Sequence, residues 1–177
     1  RALEPYNLKF FEEPVPPDNL EALAKVAGAA SSTPLATGER LFTKWGYREL
    51  LEKQLVEIIQ PDICHDGGIF ETRAIAAMAE TYYVRIAPHN PNGPVATAAS
   101  VQLAACTPNF EILEYAESQP WRDEVLKEPM PVVNGYIELP TRPGLGVELD
   151  EEAIRRYPYQ PRPYGGIFRR DGSVADV

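Results

Sequence analysis

The sequence predicts an α/β protein in which five parallel strands alternate with four helices as more than half of a (β/α)8 barrel, followed by an irregular C-terminal segment. Three observations carry this. Short apolar runs alternate with helical patterns at a nearly constant spacing, and strict β–α alternation implies a parallel sheet with right-handed crossovers. The runs are continuously apolar, as expected where both faces of a sheet are covered. Each run ends at an ionisable residue: Glu12, Glu39, Asp62, His89 and Glu114. A flavodoxin-like open sheet also has five parallel strands, but it gathers its ligand site at one switch point rather than at every strand end.

The elements follow in order. Arg1 to Glu4 carry no helix-start signal and Pro5 reads as a stop, so the chain is expected to open in the last turn of a helix, with an N-terminal part missing. Leu8 to Glu12 is the first strand, and Pro14 forbids its continuation. Successive strand residues face opposite ways, so Glu12 and Glu13 must do different jobs. Asp18 or Asn19 caps a helix to about Ala30, with Leu20, Leu23, Ala24 and Ala27 on one face. Pro34 to Thr37 is the second strand. A helix spans Tyr47 to Gln54. Val56 to Gln60 is the third strand, closed by Pro61-Asp62. Gly67-Gly68 opens a helix from Ile69 to Thr81. Tyr83 to Ala87 is the fourth strand, closed by Pro88-His89. A helix from Val95 to Ala105 leads to the fifth strand, Glu111 to Leu113. Pro129 to Pro140 has room for a short hairpin, and Asp150 to Tyr157 shows a helical period. Residues 1–116 are therefore read as barrel. Residues 117–177, rich in Pro, Tyr and Arg, read as a segment that cannot form a core alone and packs on the barrel end or on another domain.

The net charge of −9 argues against a nucleic-acid partner, which favours a basic face. Cys64 and Cys106 are too few for a disulfide framework, so a reducing cytoplasm is the expected compartment. No signal peptide and no run long enough to span a bilayer is visible, so no membrane partner is expected.

The strand-end groups suggest a chemistry. Glu12 and Glu39 lie 27 residues apart, as do Asp62 and His89, one βα unit in each case. On adjacent strands Asp62 could meet His89, fix its tautomer and make it a general acid or base near neutral pH. Glu12 and Glu39 could share a divalent ion; hard oxygen ligands favour Mg²⁺. Glu114 would lie across the site. Simpler roles compete: Glu39 as a surface ion pair with Arg40, Glu13 as a structural partner of an outer-layer base, Cys64 as packing, and Trp45 and Trp121 as core or lid; His65 either lines the mouth or, more simply, caps the Gly67-Gly68 turn.

Phe11-Glu12-Glu13-Pro14-Val15, Ala36-Thr37-Gly38-Glu39-Arg40, Ile59-Gln60-Pro61-Asp62, Gly67-Gly68-Ile69, Ala87-Pro88-His89 and Ile112-Leu113-Glu114 together resemble the C-terminal portion of the enolase superfamily, mandelate racemase branch, and within it acid-sugar dehydratases of the galactonate dehydratase type. The resemblance covers residues 1–115 strongly. It implies strands four to eight of a TIM-type barrel, with Glu12 and Glu39 as the second and third carboxylate ligands of Mg²⁺. It implies that Asp62 and His89 are the acid/base dyad and that Glu114 hydrogen-bonds the substrate carboxylate. The implied reaction is α-proton abstraction and β-elimination from an aldonate, giving a 2-keto-3-deoxy acid. A homo-oligomer is implied as well. The capping domain, the first metal ligand and the early acid/base groups have no counterpart here, so 177 residues alone are expected to be inactive. A racemase or epimerase on the same scaffold and a non-catalytic barrel fragment are the rival readings.

Overall fold

The computed structural model describes residues 2–29, 32–116, 121–161 and 169–173. Its opening differs from expectation. Glu4–Tyr6 form a 3-10 turn with Pro5 in its first turn, and Asn7 ends it at φ 49. Proline is tolerated there because the first N–H groups of a helical turn have no internal partner anyway. Pro5 therefore sits inside a short turn and does not stop a helix.

β1 (Phe11–Glu12), α1 (Leu20–Ala27), β2 (Leu35–Thr37), α2 (Thr43–Glu52), β3 (Ile58–Ile59), α3 (Ile69–Glu80), β4 (Arg85–Ile86) and α4 (Pro94–Ala105) alternate as predicted. The Asn19 side chain accepts from Ala22 N–H at 2.9 Å and caps α1. The predicted end of that helix, Ala30, lies outside the described residues. α2 begins four residues before its predicted start at Tyr47. Its first turn is satisfied from a distance: Lys44 N–H donates to Glu71 Oε1 of α3 at 3.0 Å, and Lys44 Nζ pairs with the same carboxylate. Gly68 opens α3 at φ 88, a left-handed value that favours glycine.

The four strands are parallel and lie in the order β1-β2-β3-β4. Sequential order with right-handed crossovers places every helix on one face, which is the arrangement of a barrel wall and not of a doubly wound sheet. The fifth predicted strand adds to β4 by a parallel bridge, Ile86 to Phe110. Ile86 N–H donates to Asn109 O at 2.9 Å and Glu111 N–H to Ile86 O at 2.8 Å.

The register separates two layers. Glu12, Ala36, Ile58 and Arg85 are in register across the sheet. Ala36, Ile58 and Ala87 form a small cluster on that face with Phe10. The opposite face holds the main core, where Leu35, Ile59, Val84 and Ile86 pack against Leu23, Tyr47, Leu50, Leu51, Ile75, Ala76 and Ala79 of the helices. The face bearing Glu12 is concave. Lys9 Nζ pairs with Glu111, although the two residues belong to opposite ends of the sheet order. Arg85 donates to the same carboxylate at 2.7 Å. Only a curved sheet brings its ends into contact across the inner face.

Beyond residue 116 the described chain is short pieces. α5 (Trp121–Glu124) leads to the antiparallel hairpin β5 (Val132–Val133) and β6 (Tyr136–Ile137), and α6 (Glu151–Arg156) follows. Asn134 and Gly135 turn the hairpin at φ 52 and 82, the two left-handed positions of a type I′ turn. Asp150 caps α6 through Glu152 N–H and Ala153 N–H. Among the described residues no helix is long and apolar enough to cross a membrane.

Candidate active site

Strand alternation sorts Glu12 from Glu13. Glu12 shares the concave face with Ala36 and Ile58. Glu13, at φ 40, turns to the outer layer, where Arg40 Nε and Nη2 donate to its Oε2 at 3.0 and 2.6 Å. Thr37 Oγ1 donates to its other oxygen. Glu13 is thus the structural member of the pair, and Arg40 is committed to it.

From Ala36, strict alternation would send Glu39 outward. Gly38 breaks the alternation with φ 142, and a Cβ there would meet Gln60 N at 2.9 Å and the Tyr47 ring at 3.0 Å. The Tyr47 hydroxyl donates to Gly38 O at 2.8 Å and fixes this kink. Glu39 emerges beside Glu12. Burial raises the Glu39 carboxyl above the ordinary range. His89 works against that, and the charges of Glu13 and Glu12 add to it.

Asp62 follows Pro61 at the end of β3 and is fully buried. Its Oδ1 accepts from Cys64 N–H at 2.7 Å. Its Oδ2 lies 2.9 Å from His89 Nδ1 and accepts from Asn92 Nδ2 at 2.9 Å. Burial opposes its ionisation, but the hydrogen bonds from Asn92, Cys64 and His89 and the nearby His65 outweigh it and hold the carboxyl below its usual range. An ionised carboxylate only accepts, so the proton of this contact sits on His89 Nδ1. Nε2 is left facing Glu39 Oε2 at 3.4 Å. His89 therefore bridges the buried aspartate and the Glu12–Glu39 pair.

Glu114 stands on the far side of the same loop, where its Oε2 accepts from Asn90 N–H at 2.7 Å. The structure brings Glu12, Glu39, His89 and Asp62 into one contact chain and joins Glu114 to it through residues 89–90.

Several expectations change. His65 does not cap the glycine turn, which its own backbone closes through Gly68 N–H to Ile63 O. The His65 ring lies 6.4 Å from the His89 ring and 6.2 Å from that of Phe42, so it lines the mouth. Cys64 is exposed, not packing. Trp45 is 71% exposed beside Lys44 and belongs to no core. Sequence reasoning missed Asn92, Arg122 and the Tyr47–Asp66 pair. Asp66 is fully buried, and its carboxyl is pushed up to about 7 by burial. Asn92, three residues after His89 in His-Asn-Pro-Asn-Gly-Pro, was the one signal available.

Among the described residues no group of three or more His, Cys, Asp or Glu is arranged to hold a metal. The donor chemistry nonetheless fits part of a hard-cation site. Two adjacent carboxylates present oxygen ligands whose charge a divalent cation would neutralise. Further ligands must come from outside this set.

A family model described as enolase C-terminal domain-like matches residues 1–153. D-xylonate dehydratase of Haloferax volcanii is 42% identical over 156 residues, covering 88% of this chain and 38% of that protein. D-galactonate dehydratase of Variovorax paradoxus is 40% identical over 185 residues, covering 99% and 48%. An enolase from Agrobacterium radiobacter, solved with Na and L-malate bound, superposes with a TM-score of 0.88 at 40% identity, covering 99% of this chain and 48% of that one. A mandelate racemase/muconate lactonizing enzyme from Sulfitobacter superposes at 0.84 with 44% identity, covering 90% and 40%. The chain spans less than half the length of the relatives it matches.

Proposed function

The chain belongs to the enolase C-terminal domain-like family, and from that premise we propose that it carries the dyad half of a Mg²⁺-dependent acid-sugar dehydratase. The relatives named D-xylonate and D-galactonate dehydratase support an aldonate as substrate and loss of water as the reaction. The observation that carries the reading is the Asp62–His89 contact at 2.9 Å set beside the Glu39–Glu12 pair, all at the same end of successive strands.

Glu12 and Glu39 would hold the metal. A bound divalent cation supplies charge stabilisation to a carbanion forming next to a carboxylate. The chain's own residues do the rest. Asp62 fixes the His89 ring with its proton on Nδ1, so Nε2 is the atom that exchanges protons with the substrate. The substrate loses its α-proton to a base and its β-hydroxyl as water, and the resulting enol takes up a proton to become the 2-keto-3-deoxy acid. His89 Nε2 serves as acid or base in this sequence. Glu114, held by Asn90 N–H, offers its remaining oxygen as a hydrogen-bond partner of the substrate carboxylate.

The test uses the full-length protein with Mg²⁺ and a panel of aldonates, read out as 2-keto acid. His89→Asn is expected to lower turnover by about 100-fold or more, the usual contribution of general acid–base catalysis, with the fold intact. Exchange of the α-proton for solvent deuterium without loss of water would turn the reading to a racemase or epimerase.

A further inference from the structure

We propose that Asn92 and Arg122 are positioning residues, and that the C-terminal segment thereby sets the geometry of the His89 ring. The kinetic part of this inference rests on the acid/base role proposed for His89.

The contacts that hold the His89 ring converge on Asp62 Oδ2. That oxygen accepts from two groups of one loop, the His89 ring and the Asn92 amide, both at 2.9 Å. Its carboxylate cannot rotate toward His65, whose Nδ1 lies 3.7 Å away, without losing the Asn92 bond. Asn92 therefore selects which imidazole Asp62 serves. Asn92 is in turn held by its backbone. Its carbonyl accepts from Arg122 Nη1, and Arg122 Nη2 donates to Thr97 Oγ1 in the first turn of α4. Asn90 Nδ2 donates to the same Thr97 oxygen at 2.9 Å and to Glu114 O at 3.0 Å. One guanidinium thus ties together the loop that carries His89 and the helix that follows it.

Arg122 is 5% exposed and lies over the Tyr115 ring at 4.7 Å. Among the described residues it pairs with no carboxylate, so its burial rests on the carbonyl, the hydroxyl and the ring. A buried charge persists only when such partners satisfy it, and the rigid fork can span two acceptors where a lysine reaches one.

The experiment compares Asn92→Leu, Arg122→Met, Arg122→Lys and the Asn92→Leu/Arg122→Met double variant in the full-length protein. Each single variant is expected to lower kcat about 10- to 100-fold, with KM within about threefold, as for other residues that orient a functional histidine from behind. The double variant should fall little below the worse single, because residues acting in series are not additive. Arg122→Lys should stay closer to Arg122→Met than to the parent. An independent readout is the imidazole ¹H–¹⁵N spectrum. The Nδ1–H signal that His89→Asn abolishes should exchange away with water in Asn92→Leu. A kcat loss that multiplies across the pair, a change confined to KM, or an Nδ1–H signal that persists in Asn92→Leu would overturn the proposal. If the parent protein dehydrates no aldonate, the functional reading fails, and the imidazole signal still decides the positioning claim. If Arg122→Met does not fold, Asn92→Leu, which leaves the buried guanidinium paired, decides it alone.

Discussion

Glu39 has three titratable neighbours, His89, Glu13 and Glu12. Glu39→Gln removes one of two adjacent carboxylates and is expected to weaken Mg²⁺ binding at least about tenfold by calorimetry, a loss on the order of 1.4 kcal/mol. Unchanged metal affinity would take Glu39 out of the ligand set. Asp66 makes a different prediction. Its neighbours are the Tyr47 hydroxyl, the Thr43 N–H and the charges of Asp62 and Glu71. Burial raises the carboxyl from 3.8 to about 7, so the folded state binds the proton more tightly than the unfolded chain. That stabilisation is complete below the unfolded value and is lost as pH rises through the folded one. Tm should therefore fall between about pH 4 and about pH 7, and Asp66→Asn should flatten the slope. An equal slope in the variant would assign the pH dependence elsewhere. Glu12, Glu39, Asp62 and His89 were visible in the sequence because each follows an apolar run. Asn92, Asp66 and Arg122 were not, because hydrogen bonds to partners 19 to 30 residues away define them; Asn92 alone had a local cue, its place three residues after His89.

The elements were legible where their signals are local. Asn19 before α1 and Gly67-Gly68 before α3 each mark a boundary that the structure keeps, and α4 begins one residue before the expected Val95. The start of α2 was hidden because its first turn is capped by Glu71 from another helix. Strand identity was legible but strand length was not: the apolar run Val56 to Gln60 contributes two paired residues, Ile58 and Ile59. Those two point to opposite layers, which sets up a paired test. Ile59→Ala opens the main core and should cost about 2–5 kcal/mol in denaturant unfolding of the full-length protein. Gly38→Ala places a methyl group against Gln60 N, and the kink that presents Glu39 must shift to accommodate it. That variant should lose metal affinity while the helices keep their circular dichroism. A Gly38→Ala protein with parental metal affinity would show that the kink is not what orients Glu39.

At the scale of the molecule, the parallel order and the pairing of Lys9 with Glu111 describe a curved wall with two edges. A cavity of about 740 Å³ runs beside the β1 edge, lined by Leu3, Phe11, Val26 and Leu35. Another of about 640 Å³ lies at the opposite edge between Val101, Phe110, Ile112 and Tyr136. Unpaired strand edges are templates for association, and apolar grooves beside them need cover. The 177 residues expressed alone are therefore expected to self-associate and to show no Mg²⁺-dependent dehydration. A monomer by light scattering with aldonate turnover would contradict this.

The ion chain Lys9–Glu111–Arg85 has a consequence for recombination. Lys9 first and Arg85 after it hold the Glu111 carboxyl below its usual range, against burial, so the chain stays charged down to mildly acidic conditions. Because it joins the first and last strands from the inside, it spans the chord of the arc instead of stiffening one rib. A chimera that grafts this cassette onto the complementary arc of another protein must match that chord, and swapping Lys9 and Glu111 for residues of different reach is the handle by which the opening could be retuned.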